Sequence, residues 1–289
     1  MKVATYFLNG VSAVGIVSED GQSIIPVKTL GYKSDSMNEF IEELGGSIPA
    51  VNGSAEALPM SEVILDAAIP EPKQDVICLG LNYRDHAEEA TKADKVFDVQ
   101  KGDAVYFAKR VARAVAPDKP IDGHFDICDS LDYEVELAVV IGKDARNVKA
   151  EDALEYIFGY TILNDVSARN LQTRHKQWYF GKSLDDFTPI GPWIVTADEF
   201  GAYPELDIRC YVNGEKRQDS NTRMMIFDIP YVIEELSAGM TLKAGTVIAT
   251  GTPSGVILGM DKDKQIYLKS GDVIRCEIDG IGALENPVA

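Results

Sequence analysis

The chain has 289 residues, of which 45% are hydrophobic and 26% charged, and it carries a formal net charge of −18 at pH 7. That length suits one main domain with a smaller companion, and the composition excludes a disordered chain, a collagen-like repeat and a disulfide scaffold. A protein this acidic repels phosphate backbones, so nucleic acid is not an expected partner.

The first 70 residues read as short strands and turns. Residues 3–8 and 13–17 flank Asn9-Gly10, a hairpin signal. Asp20-Gly21 marks a turn before a strand at 23–27, and Met37–Leu44 reads as a helix ended by Gly45-Gly46. Residues 50–59 are small and polar, a loop, and Pro70-Glu71-Pro72 punctuates the chain. A boundary near residue 70 therefore divides a small N-terminal β-rich domain, 1–70, from a main domain, 71–289.

In the main domain Val76–Gly80 reads as a buried strand and 85–91 as helix. A long strand is expected over 133–142, a helix over 150–157 and a strand over 159–163. Residues 228–237 form a helix with Asp228 as cap, Pro230 in its first turn and Gly239 past its end. The segments starting at Leu242 and Leu268, Leu-Lys-Ala-Gly-Thr-Val-Ile and Leu-Lys-Ser-Gly-Asp-Val-Ile, echo each other as two turn-into-strand entries. Many strands and few helices predict a mainly β (α+β) fold, a roll or sandwich.

No apolar run reaches the ~18 residues of a membrane span, and the opening apolar stretch is broken by Asn9-Gly10, too early for a signal peptide. Cys78, Cys128, Cys210 and Cys276 form no Cys-x-x-Cys pair and read as buried, reduced thiols, so a cytoplasmic location is expected. Histidine is scarce: His86, His124 and His175. A metal here would depend on carboxylates, a donor set that suits Mg²⁺, Mn²⁺ or Ca²⁺.

The strongest local signal is Asp132-Tyr133-Glu134-Val135-Glu136-Leu137-Ala138-Val139-Val140-Ile141. Read as one strand, it places Tyr133, Val135, Leu137, Val139 and Ile141 on one face and Asp132, Glu134, Glu136, Ala138 and Val140 on the other. Glu134 and Glu136 then stand side by side, roughly 7 Å apart along the strand. Two readings stand: a metal site, because partly buried carboxylates repel unless a cation lies between them, or a solvated strand face. Asp165 ends the next strand, either as a third carboxylate or as a helix cap before Ser167. His86 and Glu89 lie three positions apart, either a surface helix pair or a general base with its orienting carboxylate. Lys182 could meet developing negative charge, and the loop Thr250-Gly251-Thr252-Pro253-Ser254-Gly255 offers hydroxyls and N–H groups to a substrate carboxylate. Lys109, Arg110 and Arg113 read as cations balancing acidic neighbours.

Taken together, ordered blocks over about residues 75–287 resemble the fumarylacetoacetate hydrolase family. They are Gly80-Leu81-Asn82-Tyr83 with Asp85-His86, the segment from Asp132 to Leu137, Gly159-Tyr160-Thr161 with Asn164-Asp165-Val166-Ser167-Ala168-Arg169, Gly181-Lys182-Ser183, Gly191-Pro192-Trp193, Val212-Asn213-Gly214-Glu215, the 250–255 loop and Gly280-Ile281-Gly282. The resemblance implies a β-roll, a homodimer, and Mg²⁺ or Mn²⁺ held by Glu134, Glu136 and Asp165. It implies His86 and Glu89 as a water-activating dyad, Lys182 as an enolate stabiliser, and Gln172 and Thr252 as substrate contacts. Two departures stand out: Asn170 where many relatives have aspartate, and Lys109-Arg110 where Lys-Pro is commoner. Family chemistry includes C–C hydrolysis of acylpyruvates, decarboxylation of oxaloacetate-like acids and keto–enol isomerisation. The expected function is a divalent-metal C–C hydrolase of a β-diketo acid. The alternatives are a 2-oxo-acid decarboxylase or tautomerase on the same scaffold, and a metal-stabilised protein without turnover.

Overall fold

The computed structural model describes residues 1–51, 56–93 and 102–289. β1 (Lys2–Leu8) and β2 (Val11–Val17) form an antiparallel hairpin. Its turn residues, Asn9 and Gly10, both have positive φ, the geometry that matches strand twist in a two-residue turn. β3 (Ser23–Pro26) follows, then α1 (Met37–Leu44), whose start carries a reciprocal cap between Ser36 and Glu39. Met37, Phe40, Ile41 and Leu44 recur at helical spacing and are all buried. The expected loop at 50–59 ends instead in β4 (Leu58–Pro59), paired with β3, and β5 (Ile64–Leu65) pairs with β1; residues 52–55 of that loop lie outside the described residues.

Next come β6 (Val76–Gly80), α2 (Arg84–Ala93) and β7 (Val105–Lys109). β8 (Leu131–Asp132), β9 (Val135–Ile141), β10 (Ile157–Asn164) and β11 (Ser167–Ala168) lead into α3 (Arg169–Arg174) and α4 (Tyr179–Lys182). The remainder is β12 (Ile190–Thr196), β13 (Asp207–Val212), β14 (Glu215–Asn221), α5 (Ile229–Gly239), β15 (Val247–Ala249), β16 (Val273–Ile278) and β17 (Gly282–Pro287). Residues 150–157, expected as a helix, are a 3-10 helix over Ala150–Tyr156, with no side-chain cap at Lys149. α5 starts where expected, with Asp228 accepting from Tyr231 N, and runs through Gly239.

Among the described residues eleven strands form the main sheet, in the order β4-β3-β2-β1-β12-β10-β9-β15-β6-β7 with β5 added to β1. A second sheet, β14-β13-β16-β17, packs on one of its faces, and β8 pairs with β11. β9 is buried on both sides. Val135, Leu137, Val139 and Ile141 join a core with α5 and the four-stranded sheet; Ala138 and Val140 join a second core with α1 and the N-terminal strands. The division near residue 70 falls between β5 and β6, and β1 pairs with β12 across it. The echoed segments occupy matching places: Leu242 bridges Ala145 before β15, and Leu268 bridges Leu131 before β16.

The long strand expected at 133–142 is interrupted. Asp132 Oδ1 accepts from Tyr133 N, and Asn164 Oδ1 accepts from Glu134 N, so these N–H groups leave the ladder and the strand restarts at Val135. Glu134 therefore lies in the break between β8 and β9 rather than on a common strand with Glu136.

Candidate active site

The break and the register of β10 against β9 assemble three carboxylates. Leu163 lies opposite Glu136 and Asn164 opposite Val135, so the residue after β10 arrives beside Glu134. Asp165 N then donates to Glu134 O at 2.8 Å. Glu134, Glu136 and Asp165 are 6%, 1% and 0% exposed, and each offers an oxygen within 4.8 Å of the others. These values remove the solvated-face reading of the glutamates. Asp165 caps no helix either: Ser167 and Ala168 pair with β8, and the Asp165 carboxylate takes hydrogen bonds from two lysines.

Lys182, at the end of α4, reaches Glu134 Oε2 at 2.7 Å and Asp165 Oδ2 at 2.8 Å. Lys109, at the end of β7, reaches Asp165 Oδ1 at 2.5 Å and the Val166 carbonyl at 3.1 Å. Arg169 opens α3, pairs with Asp132 at 2.8 Å and Glu134 Oε1 at 2.7 Å, and donates to Gln172 Oε1. Burial alone would push the Glu134 carboxyl up, but Lys182 and Arg169 outweigh it and hold it well below its usual range. Burial would likewise lower the Lys182 ammonium, and the charges of Asp165 and Glu134 reverse that, so Lys182 stays protonated. Lys109 is lowered by burial more than Asp165 raises it.

Glu136 is the exception. It accepts a hydrogen bond from Gly251 N at 2.7 Å and has no ion pair among the described residues. Burial first, then the charges of Asp165 and Glu134, push its carboxyl far above the usual range. Among the described residues, the four buried carboxylates of this cluster, Asp132 included, face three buried cations, so ionising Glu136 adds a negative charge that no protein cation balances. Three converging hard oxygen donors with unbalanced charge fit a divalent cation of the Mg²⁺ or Mn²⁺ kind.

The 250–255 loop builds the wall behind Glu136. Gly251 has a φ of 93°, and a Cβ there would stand 2.8 Å from Asn82 Cβ, so only glycine lets its N–H face the carboxylate. Asn82 holds the arrangement by donating to the Thr250 and Phe227 carbonyls. Thr252 Oγ1 donates to the Val135 carbonyl and accepts from Gln218 Nε2, so its hydroxyl is engaged within the protein.

Glu134, Lys182, Gln172 and Thr252 line a cavity of about 410 Å³, joined there by His86 from α2. His86 Nδ1 lies 3.0 Å from Glu89 Oε2, and Glu89 also accepts from Gly255 N at 3.2 Å. With Nδ1–H given to the carboxylate, Nε2 is left as the free, basic nitrogen. Arg169, Thr173 and Lys176 add polar atoms to the wall, and Leu79, Leu81, Phe107, Trp178, Val256 and Leu258 make up its apolar part.

Several residues of the cluster had no distinct role in the sequence reading. Lys109 balances an acidic neighbour as expected from its charge, but that neighbour is Asp165 inside the site. Arg110 and Arg113 pair with Asp75 and Asp66 outside it. Asp132 binds Arg169 and the N–H groups of Ile257 and Leu258, and Gln218 reaches across from β14 to Val135 N and Thr252. The available signal was a lysine closing an apolar strand and an aspartate opening one. The departures lie outside the cavity lining: Asn170 donates to the Ile127 carbonyl, and Arg110 N donates to Ser183 Oγ, a bond proline could not make.

Residues 75–289 match the fumarylacetoacetate (FAA) hydrolase C-terminal family. The chain belongs to this family, and its mainly β fold is the family's fold. It is 46% identical over 230 residues to the oxaloacetate tautomerase YisK of Bacillus subtilis (strain 168), covering 79% of this chain and 74% of that one. Among solved structures it superposes on the fumarylacetoacetate hydrolase of the psychrophile Exiguobacterium antarcticum with a TM-score of 0.87, 40% identity and coverage of 100% and 99%. A maleylpyruvate hydrolase from Sphingobium sp. SYK-6, solved with manganese(II) and pyruvate, aligns at a TM-score of 0.76 with 30% identity, covering 100% and 99%.

Proposed function

We propose that the protein is a divalent-metal-dependent keto–enol tautomerase of a 2-oxo acid of the oxaloacetate type. The observation that carries this reading is a trio of buried carboxylates that reaches the cavity through Glu134, with a protonated lysine against two of them and a carboxylate-oriented imidazole on the same cavity wall. Glu134, Glu136 and Asp165 would hold Mg²⁺ or Mn²⁺. Such a cation supplies Lewis acidity to the oxygens of the 2-oxo acid.

The chain's own groups divide the proton work. Lys182 keeps its proton, so it is a donor and cannot be the base. His86 Nε2 takes the proton from the carbon next to the 2-oxo group, and Glu89 carries the charge of the imidazolium that results. Lys182, its proton retained, faces the negative charge developing on the 2-oxo oxygen, and the His86 imidazolium returns the proton to that oxygen, which completes the tautomerisation and restores the base. Gln172, held by Arg169, would orient the substrate, as would the backbone at Thr252, whose hydroxyl is already engaged, and the apolar part of the wall excludes water.

Hydrolysis of a C–C bond in a β-diketo acid is the second reading. The same dyad can activate water, and the maleylpyruvate hydrolase stands at 30% identity, against 46% for the tautomerase. A homodimer in the cytoplasm, the latter in keeping with four free buried cysteines, completes the proposal. Among the described residues no helix is long and apolar enough to cross a membrane.

The test is an assay with Mg²⁺ or Mn²⁺ on oxaloacetate, acetylpyruvate and fumarylpyruvate, reading the enol absorbance, CO₂ and acid products separately. Faster enol–keto exchange of oxaloacetate without matching cleavage is expected. His86→Ala should slow that exchange by roughly 10²–10⁴. Cleavage of a diketo acid outpacing tautomerisation would hand the case to the hydrolase reading.

A further inference from the structure

Beyond the catalytic cluster, one exposed cation on the cavity wall has no protein partner among the described residues. Among the described lining residues, Arg169 and Lys182 are tied to carboxylates, whereas Lys176 makes no ion pair and its side chain donates no hydrogen bond. Arg169, Gln172 and Thr173 line the cavity at the spacing i, i+3, i+4 that marks one face of α3, and Lys176, past the end of the helix, lines it as well. The helix ends at Arg174, and Lys176 turns at a φ of 61°, its N–H still bonded to the Thr173 carbonyl.

Trp178, two residues beyond Lys176, anchors the turn. Its indole wedges against the bare backbone of Gly80, where a Cβ would stand 2.4 Å from the ring, and it meets Phe107 edge-on at 5.2 Å. A substrate whose 2-oxo acid end lies at the carboxylate trio extends along this wall. Lys176 lies two residues past the end of the helix and lines the same cavity as Glu134, and the cavity volume of about 410 Å³ has room for a four- or five-carbon diacid.

We infer that Lys176 binds the distal carboxylate of the substrate, and so selects 2-oxo dicarboxylic acids over 2-oxo acids that end in an alkyl group. The inference rests on the proposed 2-oxo-acid site and adds the residue that reads the far end of the molecule. Lys176 acts in binding, with no part in proton transfer.

The experiment compares two inert ligands of equal chain length, 2-oxoglutarate and 2-oxopentanoate, by calorimetry on the Mg²⁺-loaded protein. The wild type should prefer the dicarboxylate, and the preference should weaken with added salt because the contact is at an open rim. Lys176→Met should lower the ratio of the two affinities about tenfold, the size expected of one charge-assisted contact. Lys176→Arg should keep most of it. An equal ratio in wild type and Lys176→Met overturns the inference, as does failure of the wild type to bind either acid. If the preference is present and lost in Lys176→Met while no enol–keto exchange is catalysed, the tautomerase reading falls and the role of Lys176 stands.

Discussion

Glu136 is the carboxylate whose charge the protein leaves unmatched, and this makes it the most informative single residue. Its folded pKa is raised, so its contribution to stability is present below the ordinary value of 4.5 and is lost as pH rises through the folded value. Metal-free wild-type protein should therefore lose stability as pH climbs above that ordinary range. Glu136→Gln keeps the shape and cannot ionise, so it should lack this loss and melt higher than wild type without metal near neutral pH. Each kcal/mol relieved is worth about 2–4 °C for a domain approaching this size. Metal should reverse the order. At about a hundredfold over the dissociation constant, linkage stabilises the wild type by about 2.7 kcal/mol, a shift of very roughly 5–10 °C. In Glu136→Gln most of that shift should vanish. Melting curves with chelator and across a metal titration decide it: an equal metal shift in both proteins would remove Glu136 from the ligand set.

At the scale of elements, the site depends on how closely α4 approaches α3. Lys182 reaches the trio because Gly181 lets the two helices touch. A Cβ on Gly181 would stand 2.4 Å from Gln172 N and 2.7 Å from the Ala168 carbonyl, both backbone atoms that cannot step aside. Gly181→Ala should push α4 outward and carry Lys182 with it. The expected cost is about 1–3 kcal/mol of stability, typical of overpacking, together with a fall in kcat. A variant that melts like wild type and turns over normally would show that α4 can shift without disturbing Lys182.

At the scale of the whole molecule, residues 1–70 and 71–289 are proposed as two units of sequence that share a core. Val3, Ile16, Met37, Phe40 and Ile41 from the first pack in one cluster with Val140, Phe158, Ile194 and Val247 from the second. β1 also continues the main sheet at β12. The full chain should accordingly unfold in one calorimetric transition, and residues 71–289 expressed alone should expose this surface and aggregate or melt much lower. Two separate transitions, or a fragment as stable as the whole, would mean that the units fold independently.

Much of the site was legible because its residues come in short, ordered runs. Hydrophobic alternation marked β9, the Asn9-Gly10 turn marked the first hairpin, and three carboxylates in two motifs marked the trio, since these are local properties of the chain. The spacing of His86 and Glu89 on one helix fixed their meeting in the same way. Alternation alone also predicted one unbroken strand at 133–142, because it does not register that Asp132 and Asn164 capture the N–H groups of Tyr133 and Glu134. Nor does any local pattern show that both faces of β9 are covered, that Lys109 arrives beside Asp165 from 56 residues away, or that Gln218 crosses from the second sheet. Residue types and their local order were enough to mark the carboxylates and to point to the family. The balance of charge around it, three buried cations against four buried carboxylates, was decided only by tertiary structure, because electrostatic energy depends on distance and burial, and both come from segments far apart in the chain.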